Sequence, residues 1–249
     1  MYEVTVSVPL CNKHLLEHVK NQTAPAIAEM DGIATDLSDK FRSYYSVACS
    51  DTFRFQLRRL LADSVAEAMA LGYKNMYVRD FLNVNGGNFF QNVLINTMCV
   101  FDKSYDQQIV SKIVDLDKPI FIDGYYNFRL DALKHKWEEI AKLVCDNQYI
   151  LHDEELIMEF LQYLLDSVSS QVTHLTVTLE EDSFLMYDQK GKLIPTVQSL
   201  AKSATVEEEA AVNILLLKPK RISVYYGKRP EPNFMKLLGL FDCKFVEAN

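Results

Sequence analysis

His14-Leu15-Leu16-Glu17-His18 matches H-x-x-E-H, the spacing that sets two imidazoles one helical turn apart to hold zinc while the carboxylate activates its water. Cys11 lies three residues before His14, so Cys11, His14 and His18 could share a helical face as metal ligands of a hydrolase. The pattern leaves two positions free, and no distant glutamate can be assigned as the completing ligand. An amphipathic helix carrying polar histidines accounts for it more simply.

Other chemistry has less support. There is no G-x-S-x-G elbow, and Gly86-Gly87 lacks the spacing that aims backbone amides at phosphate, so it reads as a turn. Five cysteines are odd in number and scattered without a C-x-x-C pair, which reads as reduced, mostly buried thiols. Glu180, Glu181 and Asp182 fit a hairpin turn; Glu207, Glu208 and Glu209 fit a helix start, where negative charge is favourable. Lys218, Lys220, Arg221, Lys228 and Arg229 flank an apolar run at 222–226 that also holds Tyr225 and Tyr226. Cations with aromatic stacking surfaces could dock nucleic acid. Against this, the formal charge of −8 repels phosphate backbones, and lysines at strand ends ordinarily protect sheet edges.

The composition is that of a folded globular chain of one large or two small domains: 249 residues, 49% hydrophobic and 24% charged, with only 8 Gly and 7 Pro. The opening MYEVTVSVPL has no basic leader or cleavage pattern, so a secretory signal is not expected. The densest apolar run, residues 214–217, is far shorter than the ~20 residues that a bilayer crossing requires. A cytoplasmic protein without a membrane span is the expectation.

The elements that must position these residues follow from hydrophobic period and breakers. Tyr2, Val4, Val6 and Val8 alternate with polar residues, which predicts a half-buried strand. Residues 11–30 read as two short helices interrupted at Pro25, and residues 43–49 as a second strand. Asp51 is a candidate N-cap for a long helix bearing Phe55, Leu57, Leu60, Leu61, Val65 and Met69 and closed by Gly72. The breaker cluster at 83–88 precedes a helix from Phe89 to Phe101, and another helix spans about 105–114.

After a short extended entry at 118–121 come two amphipathic helices. The first carries Phe128, Leu133, Trp137, Ile140 and Val144 on one stripe. The second, capped by Asp153, carries Leu156, Ile157, Phe160, Leu161, Leu164, Leu165 and Val168, and is expected to pair antiparallel with the first. From 172 the period becomes two: a hairpin, a helix opened by a Thr205/Glu208 capping box and ended by Pro219, a strand at 222–226, a helix from Pro232 and a last strand at 241–246. This predicts an α+β protein with an N-terminal strand, a helix-rich body and a small C-terminal ββαβαβ unit. The segments are 1–117, 118–170 and 171–249.

The run G-Y-Y-N-F-R-L at 124–130, with the helix pair and the hairpin TVTLEEDSFLMYDQKGKLI, resembles the sporulation proteins of the YtxC type over roughly residues 105–249. The N-terminal third agrees only in general pattern. The resemblance implies a cytoplasmic protein of spore-forming Gram-positive bacteria, with no established activity, cofactor or catalytic set to carry over. Within the run, Gly124 is read as a tight turn, and Phe128 and Leu130 as helix anchors. Arg129, near a helix N-terminus, would oppose the macrodipole and need a carboxylate such as Asp123 or an anionic partner.

The reading that results is a non-enzymatic protein-interaction or regulatory factor with no cofactor, its binding residues drawn from Arg129, Lys220, Arg221, Tyr225 and Tyr226. The partner is an unidentified protein, nucleic acid is disfavoured, and homo-oligomerisation stays open. A nucleic-acid module built on the basic C-terminal segment and a metal-dependent hydrolase at Cys11, His14 and His18 are the alternatives.

Overall fold

The structure, a computed structural model, describes residues 1–145, 149–167 and 169–247. In chain order it forms β1 (Tyr2–Pro9), α1 (Lys13–Glu29), β2 (Ile33–Ser38), β3 (Arg42–Cys49), α2 (Arg54–Glu67), α3 (Lys74–Phe81), α4 (Phe89–Phe101) and α5 (Lys103–Ile113). Next come β4 (Ile120–Phe121), α6 (Ile122–Arg129), α7 (Asp131–Cys145) and α8 (Glu154–Asp166). The chain finishes with β5 (His174–Leu179), β6 (Phe184–Tyr187), α9 (Val206–Leu217), β7 (Arg221–Tyr226), α10 (Pro232–Leu238) and β8 (Asp242–Glu247). The class is α+β, as the periodicity predicts. By internal contacts the chain divides into two compact units, Met1–Tyr77 with Asp102–Glu138, and Val78–Phe101 with Glu139–Asn249. Each unit is assembled from two separate segments, a division drawn differently from three consecutive ones.

The first unit holds a four-stranded sheet in the order β2-β3-β1-β4, antiparallel except for the β1/β4 pair. Alternation on β1 and β3 buries Val4, Val6, Val8, Tyr45, Val47 and Cys49 on one face, where α1 packs. A fully buried side chain of this kind contributes about 1.5–3 kcal/mol. Helix α1 runs unbroken through Pro25, because packing against the sheet and α2 outweighs the one ladder bond that proline removes. Asp51 caps nothing: its carboxylate takes the Met1 ammonium at 2.6 Å, and α2 begins at Arg54 after a 3-10 turn. Nor does Gly72 close the helix. A buried π-helical turn, Ala68–Tyr73, leads directly into α3, and a Cβ at Gly72 would stand 2.2 Å from Leu15 Cδ2, so glycine is required by close packing.

The stretch after β4 also departs from expectation. It forms a separate helix, α6, with Gly124 inside it and Phe128 exposed; Leu130 breaks it before α7 begins. Leu133, Trp137 and Val144 are buried as the stripe predicts, while Ile140 is half-buried.

In the second unit α4 is buried along nearly its whole length and packs on α8 and α9. Helix α8 approaches α4 closely. Asp153 caps α8 by accepting from Glu155 N and Leu156 N, and Ile157, Leu161 and Leu165 form the buried stripe. Val168, assigned to that stripe, lies outside the described residues, as does the 146–148 end of the preceding stretch. The C-terminal β5-β6-α9-β7-α10-β8 order matches the expected ββαβαβ unit, its sheet ordered β6-β5-β7-β8 with β5, β7 and β8 parallel. The Thr205/Glu208 capping box is present, and Lys218 turns left-handed at φ 42° before Pro219.

Candidate functional site

The H-x-x-E-H residues do not converge. On α1, Glu17 faces solvent between Lys13 at 3.7 Å and Lys20 at 4.0 Å, while His18 is buried with Nε2 3.4 Å from Glu67 Oε2. Lys103 Nζ donates to the other Glu67 oxygen at 3.0 Å. The His18 hydrogen bond, with help from Lys103, overcomes the opposing effect of burial and takes the Glu67 carboxyl down to about 2. Cys11 sits exposed in the 3-10 turn before α1. Among the described residues, no three His, Cys, Asp or Glu side chains are grouped to hold a metal ion.

A second charged group lies behind the first sheet, where Lys74 has no exposed side-chain surface. Its ammonium contacts Asp102 and donates to Asp106 Oδ2 at 2.9 Å, the same oxygen that accepts from Trp137 Nε1 at 2.9 Å. Lys136 reaches Asp102 at 2.7 Å and stands 3.7 Å from Asp106 Oδ1, over the Tyr105 ring. Burial would raise the Asp102 carboxyl, but the two lysines outweigh it and hold it below the usual range. Two cations and two anions thus close on one another.

The second unit has an equivalent group built around amides. Arg79 donates to Asn92 Oδ1 at 2.9 Å and Asn96 Oδ1 at 3.2 Å, and Asn92 donates to buried Glu208 at 2.7 Å. Burial lowers the Arg79 guanidinium and raises the Glu209 carboxyl, the latter against hydrogen bonds from Ser199. A cleft of about 430 Å³ opens at the carboxyl ends of β5 and β7, with Lys228 and Arg229 set among Glu180, Glu181, Glu207 and Glu231.

Among the surfaces open to solvent are the outer faces of the two sheets, while Phe55, Phe128, Tyr149 and Tyr163 are exposed outside them. Register places Ile33, Ala48 and Glu3 in one row of the N-terminal face, Thr35, Ser46 and Thr5 in the next, and Leu37, Tyr44, Ser7 and Phe121 in the third. Arg42 covers the β4 end, donating to Ser7 and doubly to Asp123, with its guanidinium 5.0 Å above the Phe121 ring. The β2 end is bare. Ile33 is 64% exposed, Leu37 70% and Phe41, in the hairpin turn, 77%. That turn is held by Asp39 Oδ1, which accepts from Phe41 N and Arg42 N at 2.7 and 2.8 Å.

The C-terminal open face is more polar, with rows of Leu185, Thr178, Tyr225 and Val246; Tyr187, Thr176, Ser223 and Lys244; and His174, Arg221 and Asp242. Of the expected binding residues, Arg221 pairs with Asp242 at 3.3 Å, Lys220 is exposed just before β7, and Tyr225 is partly exposed on the open face. Tyr226 points to the other face against Phe245. Arg129 is exposed in the last turn of α6, where a cation suits the macrodipole, and Asp123 is taken by Arg42. Arg129 belongs to the first unit and the other four to the second. Sequence reasoning missed β2 altogether, although Asp31-Gly32 before it and Asp39 after it are turn signals bracketing Ile33 and Leu37.

No helix among the described residues is long and apolar enough to cross a membrane. The family model described as the YtxC-like family matches residues 75–236. No curated protein and no solved structure matches the chain.

Proposed function

The chain belongs to the YtxC-like family, and from that premise we propose that it works as a non-enzymatic, cytoplasmic protein-interaction factor whose contact surface is the bare β2 end of its N-terminal sheet. The observation that carries this reading is the exposure of Ile33 and Leu37 on an edge strand open along its full length, with Phe41 exposed in the turn that follows it. Large apolar side chains exposed this far on one strand are a candidate contact surface, although Thr35 separates the two. An unpaired edge supplies backbone donors and acceptors for an added strand. The best-buried ionisable groups, Lys74, Asp106 and Glu208, meanwhile hold fixed internal partners and leave recognition to the surface.

The test places a photoreactive side chain at position 37, with one at position 225 as control. Irradiation in cells should give a defined adduct from position 37, identified by mass spectrometry, that excess wild-type protein competes away and a Leu37→Asp/Phe41→Ser variant does not. No adduct from position 37, or equal competition by both proteins, would sink the reading.

A further inference from the structure

We propose that the occupant of the β2 edge is β2 of a second copy, paired antiparallel about a two-fold axis through Thr35. This inference rests on the interaction reading and names its partner. It begins with the direction of the backbone groups. Asp39 N donates to Arg42 O at 3.0 Å across the hairpin. Hydrogen-bonded and non-hydrogen-bonded pairs alternate along an antiparallel ladder, so residues 33, 35 and 37 turn their backbone groups toward β3, while 34, 36 and 38 turn theirs outward. The Ser38 and Ser43 hydroxyls, 3.0 Å apart, fit a non-hydrogen-bonded pair at that end.

A two-fold axis perpendicular to a sheet must pair a residue with its own copy. Centred on Thr35, it sets Ala34 opposite Asp36 of the second copy, so that the outward groups of both residues meet in hydrogen-bonded pairs. Ile33 then faces Leu37 of the other copy in the non-hydrogen-bonded pairs, where side chains lie closest. All four apolar side chains fall on the open face of the joined sheets. Charge does not oppose the pairing, because Asp36 is the strand's one ionisable residue and Lys20 of its own chain neutralises it. Of the devices that blunt edges, the strand has no proline, lysine or break in its register with β3, and its one charge, Asp36, is paired with Lys20 of its own chain. Two strands of this length bury less than the ~1,200 Å² of a standard interface, so the dimer should dissociate on dilution through the micromolar range.

Purified full-length protein tests this directly. Sedimentation velocity should show a concentration-dependent monomer–dimer equilibrium, and Leu37→Lys, which introduces charge at an exposed position, should give a folded monomer. In a Cys11→Ser background, Thr35→Cys should form an intermolecular disulfide under mild oxidation. Its Cα atoms would lie ~4.5 Å apart, within disulfide range. Ala34→Cys, whose opposite residue is Asp36, should cross-link at least tenfold more slowly. A chain that stays monomeric at every concentration, or equal cross-linking at positions 34 and 35, overturns the inference. If position 37 still captures a different protein in cells, only the self-pairing fails and the interaction reading stands; if it captures nothing, both fall.

Discussion

The N-terminal and C-terminal sheets share a plan and differ in what they leave bare. Each has four strands, buries one face and opens the other. In the C-terminal sheet the parallel strands β5, β7 and β8 are linked through α9 and α10, and the open face mixes Thr, Ser, His and an Arg221–Asp242 pair with Leu185, Tyr187, Tyr225 and Val246. In the N-terminal sheet β2 and β3 form a hairpin, β1 reaches β3 across α1 and β2 and runs parallel to β4, and the outermost strand is exposed along its length with Ile33 and Leu37 on it. Both sheets add an edge strand by a hairpin, β2 in the first and β6 in the second. The difference lies in how far their apolar side chains are exposed, Ile33 and Leu37 on β2 more than Leu185 on β6.

The polar groups behind the sheets provide the largest test of the contrast. Lys74 sits among full charges, so Lys74→Ala leaves buried Asp106 with Trp137 and only a distant Lys136. Breaking such a pair costs about 3–5 kcal/mol. Asn92→Ala in the second unit removes amide bonds to Arg79 and Glu208, at a cost of about 1–3 kcal/mol. Urea unfolding midpoints of the two variants should differ in that order. Equal losses would mean that the first group is solvated more than its burial indicates.

Acid should act on Glu67 of the first unit and Glu209 of the second with opposite sign. Glu67 has its folded value depressed from 4.5 to about 2, so its contribution is fully present above the unfolded value and is lost as pH falls from about 4.5 through about 2. The amount is on the order of 2–3 kcal/mol. Glu209 is raised by burial, so the folded state holds its proton more tightly; stability from this group falls as pH rises from 4.5 toward that raised value. Glu67→Gln should therefore flatten the acid limb of a stability–pH curve, and Glu209→Gln should flatten the limb just above it. A Glu67→Gln curve parallel to wild type would show that His18 and Lys103 do not act on this carboxylate in solution.

Legibility in the sequence followed the same division. The C-terminal unit was readable strand by strand, because Val177 and Val224 alternate with polar residues and the Thr205/Glu208 box marks a helix start without tertiary help. The first unit hid its features in packing. Gly72 reads as a stop signal, yet its lack of a side chain serves contact with Leu15; Asp51 reads as a cap, yet it binds the chain terminus. Arg129 was placed at the wrong end of a helix because Leu130, apolar and periodic, conceals a break. The edge strand was invisible to periodicity because all six of its residues are exposed, so no alternation exists to detect. A candidate surface made of exposure leaves its mark in turn residues, here Asp31-Gly32 and Asp39, and little in the strand between them.

The smallest stability effect separates the open faces most sharply. Leu37→Ser alters a largely exposed side chain and should leave stability within about 0.5 kcal/mol of wild type, while Tyr225→Ser trims a ring that is more than half covered and should cost somewhat more. Their consequences for association should diverge. Serine at 37 removes the branched chain that faces Ile33 of the second copy, and the sedimentation boundary should shift toward monomer. Serine at 225 lies on the C-terminal open face, and the boundary should stay where it was. If Tyr225→Ser dissociates the protein while Leu37→Ser does not, the partner-seeking surface belongs to the C-terminal sheet, and the polarity of its rows is a poor guide to what they bind.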